Sequence, residues 1–280
     1  MILIADSGST KTAWCLTDGK SKKSIMTQGI NPFLQSEQEI SAILHNELFC
    51  DINLGETDEI YFYGAGCTPE KSGQVSKALR LASSGLPKIS VGSDLLGAAR
   101  SLCGTDSGIV CILGTGSNSC YFDGNSITDN VPPLGFILGD EGSGAYIGRR
   151  LVGGCLKKQF SDTICRSFLE ETKLTVPSII EKVYRQPMPN RFLASLSPFC
   201  ARHRDDKEIH NFIVDCFKEF FKRNVAAYKN GGNKVHFIGS IAWFYRHELR
   251  EAAETEGYSV GKICQTPMDG LVKFHLRHKL

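Results

Sequence analysis

The fold is decided by the stretch ILIADSGSTKTAWCL, residues 2–16, in which a loop of glycine and hydroxyl residues joins two apolar, β-rich runs. The pattern returns in IVCILGTGSNSCYF, residues 109–122. An Asp-Gly pair follows each copy, at residues 18–19 and 123–124, and supplies a further tight turn. Each copy therefore predicts a β-hairpin, and the repetition predicts two related halves of the chain.

Both loops contain the residue types that bind phosphate. Glycine lets a ligand approach the backbone closely, and clustered N–H groups with hydroxyls form a concavity for anions. In the first loop, Ser9 and Thr10 are candidates to contact phosphate oxygens. The P-loop motif is excluded, because it needs a glycine directly before its lysine, whereas Thr10 precedes Lys11. Two such loops favour two halves that grip one polyphosphate, and hence an enzyme that uses ATP.

Two aspartates stand at the ends of predicted strands. Asp6 ends the first strand, where a carboxylate can either hold Mg²⁺ through water or cap its own turn. Asp94 follows the strand 88–91 and lies in the first turn of a helix that Ser93 caps. The helix dipole keeps such a carboxylate ionised, which suits a group that deprotonates an attacking hydroxyl. Helix capping alone explains Asp94 equally well.

Two further segments are candidates for ligand contact. In residues 139–144, Asp140 and Glu141 stand among three glycines ahead of a helix. Glycine is costly at a helix start unless something must come close, so a ligand contact is favoured over a plain turn. Gly239 and Ser240 join a strand to a helix, and their neighbours 241–243 either flank an adenine or belong to the core.

Composition argues against several classes of protein. The chain of 280 residues is 41% hydrophobic and 22% charged with a net charge of +2, which gives no reason to expect nucleic-acid or membrane binding. No segment approaches the roughly 20 apolar residues of a membrane span, and the chain starts with a core-like strand rather than a signal peptide. The 11 cysteines form no C-x-x-C pair. We therefore expect reduced thiols in a cytoplasmic protein.

Strands and helices alternate along the chain, which predicts an α/β protein. Turn residues cluster at 104–108, so we expect an N-terminal domain of residues 1–105 and a C-terminal domain of residues 106–280. The last helix, 268–276, could fold back over the first domain. The other predicted helices are 36–48, 74–83, 94–102, several within 161–230, and one after the strand 234–238 whose wet side carries Arg246, His247, Glu248 and Arg250.

Together these elements resemble the superfamily of actin, hexokinase and heat-shock ATPases. Within it the chain resembles the BadF/BadG/BcrA/BcrD-type group, which contains N-acetylglucosamine kinase and N-acetylmuramic acid kinase. The resemblance spans nearly the whole chain, and its most specific signature lies in residues 133–144. It implies an α/β fold of two RNase H-like domains, actin-like in type, with a nucleotide and sugar cleft between them. The implied cofactors are ATP and Mg²⁺.

The resemblance also implies roles for particular residues. Asp94 corresponds to the catalytic base, and Asp6 would hold Mg²⁺ through water. The implied ATP and phosphate contacts are Asp6, Gly8, Ser9, Thr10, Lys11, Thr12, Gly114, Thr115, Gly116, Ser117, Gly239 and Ser240. The implied sugar contacts are Asn31, Asp94, Thr115, Gly135 and Asp140.

The implied activity is transfer of phosphate from ATP to the 6-hydroxyl of an N-acetylated amino sugar, with N-acetylglucosamine as the leading substrate. N-acetylmuramic acid, glucosamine and glucose are alternative substrates, and a sugar sensor or an activating ATPase is an alternative function. Residues 132–135, Pro-Pro-Leu-Gly, replace the Gly-Gly-Trp-Gly run of the mammalian-type kinase, which bears on acetyl recognition. No cysteine pattern matches the cluster-binding activators of the wider family. We expect no nucleic-acid or membrane partner and leave a homodimer open.

Overall fold

The computed structural model describes residues 1–8, 10–52, 56–83 and 87–277. The chain divides into two compact units. Unit 1 comprises Met1–Asp106, Gly124–Ser126 and Thr266–Leu280, and unit 2 comprises Ser107–Asp123 and Ile127–Gln265. The sequence favoured a single domain boundary after residue 105. Unit 1 additionally contains the turn at 124–126 and the last helix.

Unit 1 is built on a five-stranded mixed sheet. Its strands are β1 (Ile2–Ser7), β2 (Lys11–Thr17), β3 (Lys22–Gln28), β4 (Glu59–Gly64) and β5 (Lys88–Ser93). The first three strands form an antiparallel meander, and β4 and β5 run parallel to β1, so the order is β3-β2-β1-β4-β5. The predicted first hairpin is confirmed.

Unit 2 repeats this sheet. Its strands are β6 (Gly108–Leu113), β7 (Ser117–Phe122), β8 (Ile127–Asp129), β9 (Lys234–Ile238) and β10 (Ser259–Cys264). Here β6, β7 and β8 form the meander, and β9 and β10 run parallel to β6, in the order β10-β9-β6-β7-β8. Two units with one strand topology confirm the predicted α/β class with paired RNase H-like sheets.

Helices cover the sheets of both units. In chain order they are α1 (Glu37–Ile43), α2 (Ser72–Ala82), α3 (Asp94–Cys103), α4 (Gly135–Leu138), α5 (Gly144–Leu156), α6 (Asp162–Thr172), α7 (Val176–Tyr184), α8 (Pro189–Ala194), α9 (Ser197–Arg202), α10 (Lys207–Arg223), α11 (Ser240–Phe244), α12 (Arg246–Thr255) and α13 (Met268–Arg277). Among the described residues, no helix has the length and apolar character needed to cross a membrane.

Local signals in the sequence explain where the helices of unit 1 begin. The Ser36 side chain accepts from the Glu39 N–H while the Glu39 carboxylate accepts from the Ser36 N–H, which forms a capping box. A π-helical turn, Leu44–Leu48, continues α1, so the predicted helix 36–48 is confirmed with a change of winding. The last helix, α13, packs on β1, β2 and α3 within unit 1.

Each unit has its own hydrophobic core. Trp14 and Phe62 are fully buried in unit 1, with their ring centroids 5.8 Å apart. Phe220, Phe221 and Phe237 form an aromatic cluster in unit 2. Burial of this kind supplies most of the favourable free energy of folding and holds the sheet edges in place.

One prediction for unit 2 needs correction, and one strand was missed. Glu248 is 2% exposed and lies 3.7 Å from Arg204, whereas Arg246 and Arg250 are exposed as expected. The predicted single helix breaks at Tyr245, so its second part starts in a different phase and turns Glu248 inward. Strand β10 was not predicted, because a register shift between Val260 and Ile263 interrupts its alternation.

We predict that Gly148→Ala destabilises unit 2. A Cβ at position 148 in α5 would lie 1.9 Å from the Leu193 carbonyl oxygen of α8, so the helices must separate. We expect a loss of about 1–3 kcal/mol in the free energy of unfolding, measured by urea denaturation. Gly153→Ala in the same helix is the matched control, since nothing lies within 4 Å of its Cβ, and it should gain about 0.5–1 kcal/mol. Equal effects of the two substitutions would contradict the close contact.

Candidate functional site

The carboxyl ends of the parallel strands bring the acids of unit 1 together. Ser7 pairs with Gly64 and Gly64 with Ser93, so β1, β4 and β5 end in one row. Asp6 lies one residue before the end of β1, and Asp94 directly follows β5 as the first residue of α3. Ligands of open α/β sheets bind outside this edge. The structure therefore places both predicted acids at the same candidate binding edge.

Asp94 is held by the start of its own helix. The Ser93 hydroxyl accepts from the Leu96 N–H at 3.1 Å, and the Leu95 N–H donates to Asp94 Oδ1 at 2.8 Å. Burial raises the pKa of the Asp94 carboxyl above its usual range, and the backbone N–H groups partly oppose that rise. The result is a positioned carboxyl with increased proton affinity, which suits a general base.

Asp6 has a strongly perturbed carboxyl. Burial is the largest cause, repulsion by Asp94 adds to it and Lys11 opposes it, and together they raise the pKa of Asp6 to about 7. Two neighbouring carboxyls resist simultaneous ionisation unless a cation stands near them. This pair is therefore suited to a bound divalent cation.

The first loop exposes some of its predicted contacts and buries one. Gly8, Thr10 and Lys11 are exposed, and the Gly8 N–H donates to the Lys11 carbonyl at 3.1 Å. The Thr12 side chain is fully buried, and its hydroxyl bonds to the Ser7 hydroxyl at 2.7 Å and to the Gln28 carbonyl at 3.2 Å. The Thr12 hydroxyl thus serves the fold rather than a phosphate. Ser9 lies outside the described residues.

Asn31 lies in a turn that the first strand fixes. The buried Ser7 hydroxyl donates to the Ile30 carbonyl at 3.0 Å and accepts from the Ile30 N–H at 3.1 Å. Asn31 Oδ1 accepts from the Phe33 N–H, and a Cβ on Gly66, whose φ is +77°, would lie 2.4 Å from that oxygen. Neither Ser7 nor Gly66 was predicted as a support for Asn31. The only signal for Ser7 was its place in the first repeat.

In unit 2 the second loop is bonded to the start of α5. The Gly144 N–H donates to the Gly114 carbonyl at 2.8 Å, and the Ala145 N–H donates to the Thr115 carbonyl at 3.0 Å. The Ser143 hydroxyl caps the helix through the Tyr146 N–H. These bonds explain why residues 142–144 are small, since the helix start must approach the loop backbone.

Asp140 also lies against the second loop. It has a φ of +55°, its Oδ1 accepts from the Ser117 N–H at 3.3 Å, and a Cβ on Gly116 would come within 3.0 Å of its Oδ2. Burial raises the pKa of Asp140 to about 6, and the neighbouring Glu141 adds to this rise. The Ser117 N–H and Arg149 act in the opposite direction and lower the pKa. The structure therefore brings Asp140, Gly116 and Ser117 together, and the buried Ser117 hydroxyl has no hydrogen-bond partner among the described residues.

Glu141 and Gly135 occupy different surroundings. Glu141 accepts from Asn224 at 3.3 Å and lies 3.9 Å from Arg223, so its carboxylate is engaged within unit 2. Gly135 starts the short helix α4, is exposed and has a φ of +75°. The Asp140 N–H donates to the Pro133 carbonyl and closes the turn that contains Gly135.

Gly239 borders the second loop from the neighbouring strand. Its φ is +119°, and a Cβ there would lie 2.3 Å from the Leu113 carbonyl oxygen, so only glycine fits. Its N–H donates to the Cys264 carbonyl at 3.0 Å, at the end of β10. Ser240 and Trp243 are exposed beside it. The edge formed by β6, β9 and β10 thus gathers the second loop and the predicted adenosine segment.

The two loop glycines Gly8 and Gly114 differ from Gly239. Neither has a positive φ, and the nearest described atom outside its chain neighbours would lie 3.8 Å from a Cβ at Gly8 and 4.0 Å from one at Gly114. Protein packing and backbone strain therefore require glycine at neither position. A Gly residue at both positions leaves room for a ligand to approach the backbone closely.

No part of the described chain groups three or more His, Cys, Asp or Glu side chains in a way that could hold a metal ion. A divalent cation bound at the unit 1 edge would need further oxygen ligands from water or from a phosphate, as Mg²⁺ commonly has.

The chain matches solved structures along its whole length. A protein of Porphyromonas gingivalis, described as a proposed N-acetylglucosamine kinase, is 46% identical, with 100% of both chains covered and a TM-score of 0.96. A Chromobacterium violaceum protein of the same description is 17% identical, with 98% of both chains covered and a TM-score of 0.72. The ROK hexokinase of Thermus thermophilus is 14% identical, with 99% of both chains covered and a TM-score of 0.52. The last two share the fold.

No protein-family model and no curated protein sequence matches the chain.

We predict that Asp6→Asn stabilises the metal-free protein more at pH 8 than at pH 5. With the folded pKa raised to about 7 from 3.8, the folded state keeps a proton that the unfolded state loses. Stability therefore falls as the pH rises between those values, and Asn removes that loss. Urea denaturation at both pH values measures it.

Asp18→Asn is the control for this experiment. The Lys20 and Ser21 N–H groups and the Ser21 hydroxyl lower the pKa of Asp18 to about 2, so it is ionised throughout this range in both states. Its substitution should have the same effect at pH 5 and pH 8. A pH-independent effect of Asp6→Asn would contradict the raised pKa.

Proposed function

The chain belongs to the same family as the Porphyromonas gingivalis protein, and on that premise we propose an ATP-dependent sugar kinase that phosphorylates the 6-hydroxyl of N-acetylglucosamine. The sugar is the one that the description of this relative names. The observation that carries the proposal is the pair of loop glycines, Gly8 and Gly114, whose open surroundings leave room for a ligand, each at a strand edge that also holds a perturbed carboxyl. Phosphate binding by backbone N–H groups is the chemistry that such loops support.

The two loops supply the phosphate contacts in this proposal. Gly8, Thr10 and Lys11 act from unit 1, together with Ser9, and Gly114, Thr115, Gly116 and Ser117 act from unit 2. The exposed Thr10 and Lys11 add a hydroxyl and a positive charge to the first loop. Thr12 supports the first loop without contacting phosphate, because its hydroxyl bonds to Ser7 and to the Gln28 carbonyl. The exposed Ser240, next to Gly239, contacts the adenosine.

Asp94 acts as the catalytic base. Its carboxylate accepts the proton of the sugar 6-hydroxyl as that oxygen attacks the γ-phosphorus, and the bond to the bridging oxygen of ADP breaks. The start of α3 fixes the carboxylate through the Leu95 N–H, so little reorganisation is needed. Catalysis of phosphoryl transfer depends mainly on such positioning and on electrostatic stabilisation.

Asp6 is the residue that fits Mg²⁺, held through water. Burial and repulsion from Asp94 raise the pKa of Asp6, and a nearby divalent cation would stabilise its ionised form. Mg²⁺ held by Asp6 would supply positive charge to neutralise the phosphate oxygens of ATP. When no cation is bound, the positive charge of Lys11 lowers the pKa of Asp6 and partly opposes the effects of burial and of Asp94.

Asn31 and Asp140 are the proposed sugar contacts, with Thr115 and Gly135 beside the reacting end and Asp94 at the 6-hydroxyl. Amide and carboxylate side chains bind sugar hydroxyls through hydrogen bonds, and both side chains are fixed by backbone N–H groups. Because residues 132–135 have no Gly-Gly-Trp-Gly run, N-acetylmuramic acid and glucosamine remain the substrates to compare.

We also propose a family group and a cellular location for the protein. We assign the chain to the BadF/BadG/BcrA/BcrD-type group on the motifs of residues 6–12, 114–118 and 133–144. We propose a cytoplasmic enzyme, because all 11 cysteines are free thiols and most are buried. A homodimer is compatible with this activity.

The function is tested by ATP-dependent ADP release with N-acetylglucosamine, N-acetylmuramic acid, glucosamine, N-acetylmannosamine and glucose. We expect turnover with N-acetylglucosamine and little ADP release without sugar. Asp94→Asn keeps the acceptor for the Leu95 N–H but removes the base, so kcat should fall about 10²–10⁴-fold with ATP binding retained. ATP binding without stimulation by any of the sugars would favour a sensor or an activating ATPase instead.

We predict that Gly114→Ala impairs ATP binding without unfolding the protein. The added Cβ meets no protein atom closer than 4.0 Å, so stability should stay within about 1 kcal/mol of the parent. Because the methyl group occupies space proposed for a phosphate, the KM for ATP should rise at least about tenfold, a loss of roughly 1.4 kcal/mol of binding. Gly153→Ala, equally free of contacts but far along α5, is the control. An unchanged KM would remove the second loop from the ATP site.

A further inference from the structure

Unit 1 contains a cavity that shares no lining residue with the candidate site. Its volume is about 350 Å³, and its walls include Tyr61, Ser90, Arg100, Thr105, Asn125 and Phe274. All these residues belong to unit 1. The volume falls near the lower end of the range for small-molecule sites, so the cavity has room for a small metabolite.

Arg100 gives the cavity its charge. It lies in the last turn of α3, and none of the described residues that line the cavity is an Asp or a Glu. The ion pairs that described residues form within unit 1 are Met1–Asp58 and Lys22–Asp269, and Arg100 takes part in neither. The carbonyl end of α3 compensates only part of a full positive charge.

The guanidinium of Arg100 is held in a fixed orientation. Nη1 donates to the Tyr63 hydroxyl at 2.8 Å, and that hydroxyl contacts His275 Nε2 at 2.8 Å. The group also lies over two aromatic rings, 5.3 Å from the centroid of Phe274 and 5.9 Å from that of Tyr63. An arginine fixed in this way loses little conformational entropy when it binds an anion.

One buried nitrogen of this guanidinium lacks a partner in the described part of the chain. Arg100 Nε is buried and has no hydrogen-bond partner among the described residues. A buried donor without a partner is costly, and a partly buried cation without a counter-charge is costlier still. The side chains of Ser90 and Thr105 add hydroxyl groups on the cavity wall.

We propose that this cavity binds a phosphate group, carried by a small molecule, with Arg100 as its main ligand. Phosphate presents several oxygens to the planar fork of a guanidinium and supplies the missing negative charge. Hydroxyls from Ser90 and Thr105 complete a set of donors typical of phosphate sites. The site is independent of the proposed kinase activity, because none of the residues assigned to that activity lines the cavity.

The cavity is lined by residues next to the points at which the chain passes between the two units. Thr105 lies two residues before the chain passes into unit 2, and Asn125 belongs to the short turn 124–126 through which the chain returns. A ligand in the cavity would therefore touch the chain next to three of the four points at which it passes between the units. This placement is suited to an effector rather than to a reacting substrate.

The proposal is tested by titrating the protein with inorganic phosphate at constant ionic strength and following backbone amide shifts by NMR. We expect saturable shifts at Thr105 and Gly124, separate from any response of the loops at 8–12 and 114–117. Arg100→Gln should weaken this response at least about tenfold. Arg80→Gln is the matched control, since Arg80 lies in the last turn of α2 and is exposed, and it should change the response less than about twofold.

Three results would overturn the proposal: no saturable shift at Thr105 or Gly124, an equal loss of affinity in Arg80→Gln, or an equal or tighter response to acetate. The last would assign the cavity to carboxylates. If Arg100→Gln fails to fold, Thr105→Ala on the exposed rim of the cavity takes its place, and it should weaken the phosphate response and leave the loop responses unchanged.

Discussion

Parallel pairing is the constraint on which both halves of this structure depend. In unit 1 it aligns Ser7, Gly64 and Ser93, so that a carboxylate before the end of β1 and another after the end of β5 meet at one edge. In unit 2 it aligns Ile112, Ile238 and Cys264, which places the loop after β6 beside Gly239. Without this register, residues more than eighty positions apart in unit 1 would not influence one another's protonation.

The repeated hairpins explain how much of the fold could be predicted. Alternation, Asp-Gly turns and serine caps are local signals, so both hairpins, α1 and α3 follow from the sequence. Strand β10 did not follow, because its bulge packs Gly261 against His236, a contact set by the neighbouring strand. The inward turn of Glu248 likewise depends on the break at Tyr245, which shows only when the helix packs.

The candidate site, like the fold, could be predicted from the sequence only in part. The motifs identified Asp6, Asp94 and Asp140 as chemically interesting, but their raised pKa values arise from burial and from neighbours that the sequence does not reveal. Thr12 shows the opposite case, since its motif position suggests a phosphate contact while its hydroxyl is used by Ser7 and Gln28. Arg100 carried no sequence signal at all, because its rings and hydroxyl partners come from β4 and α13.

The proposed reaction transfers phosphate from ATP to the 6-hydroxyl of N-acetylglucosamine. The most direct test is ³¹P–¹H correlation NMR of the product formed from ATP·Mg²⁺ and this sugar. We expect a phosphomonoester phosphorus coupled to the two protons on C6, formed together with one equivalent of ADP. Coupling to the anomeric proton, or the absence of any phosphosugar while the protein binds ATP, would contradict it.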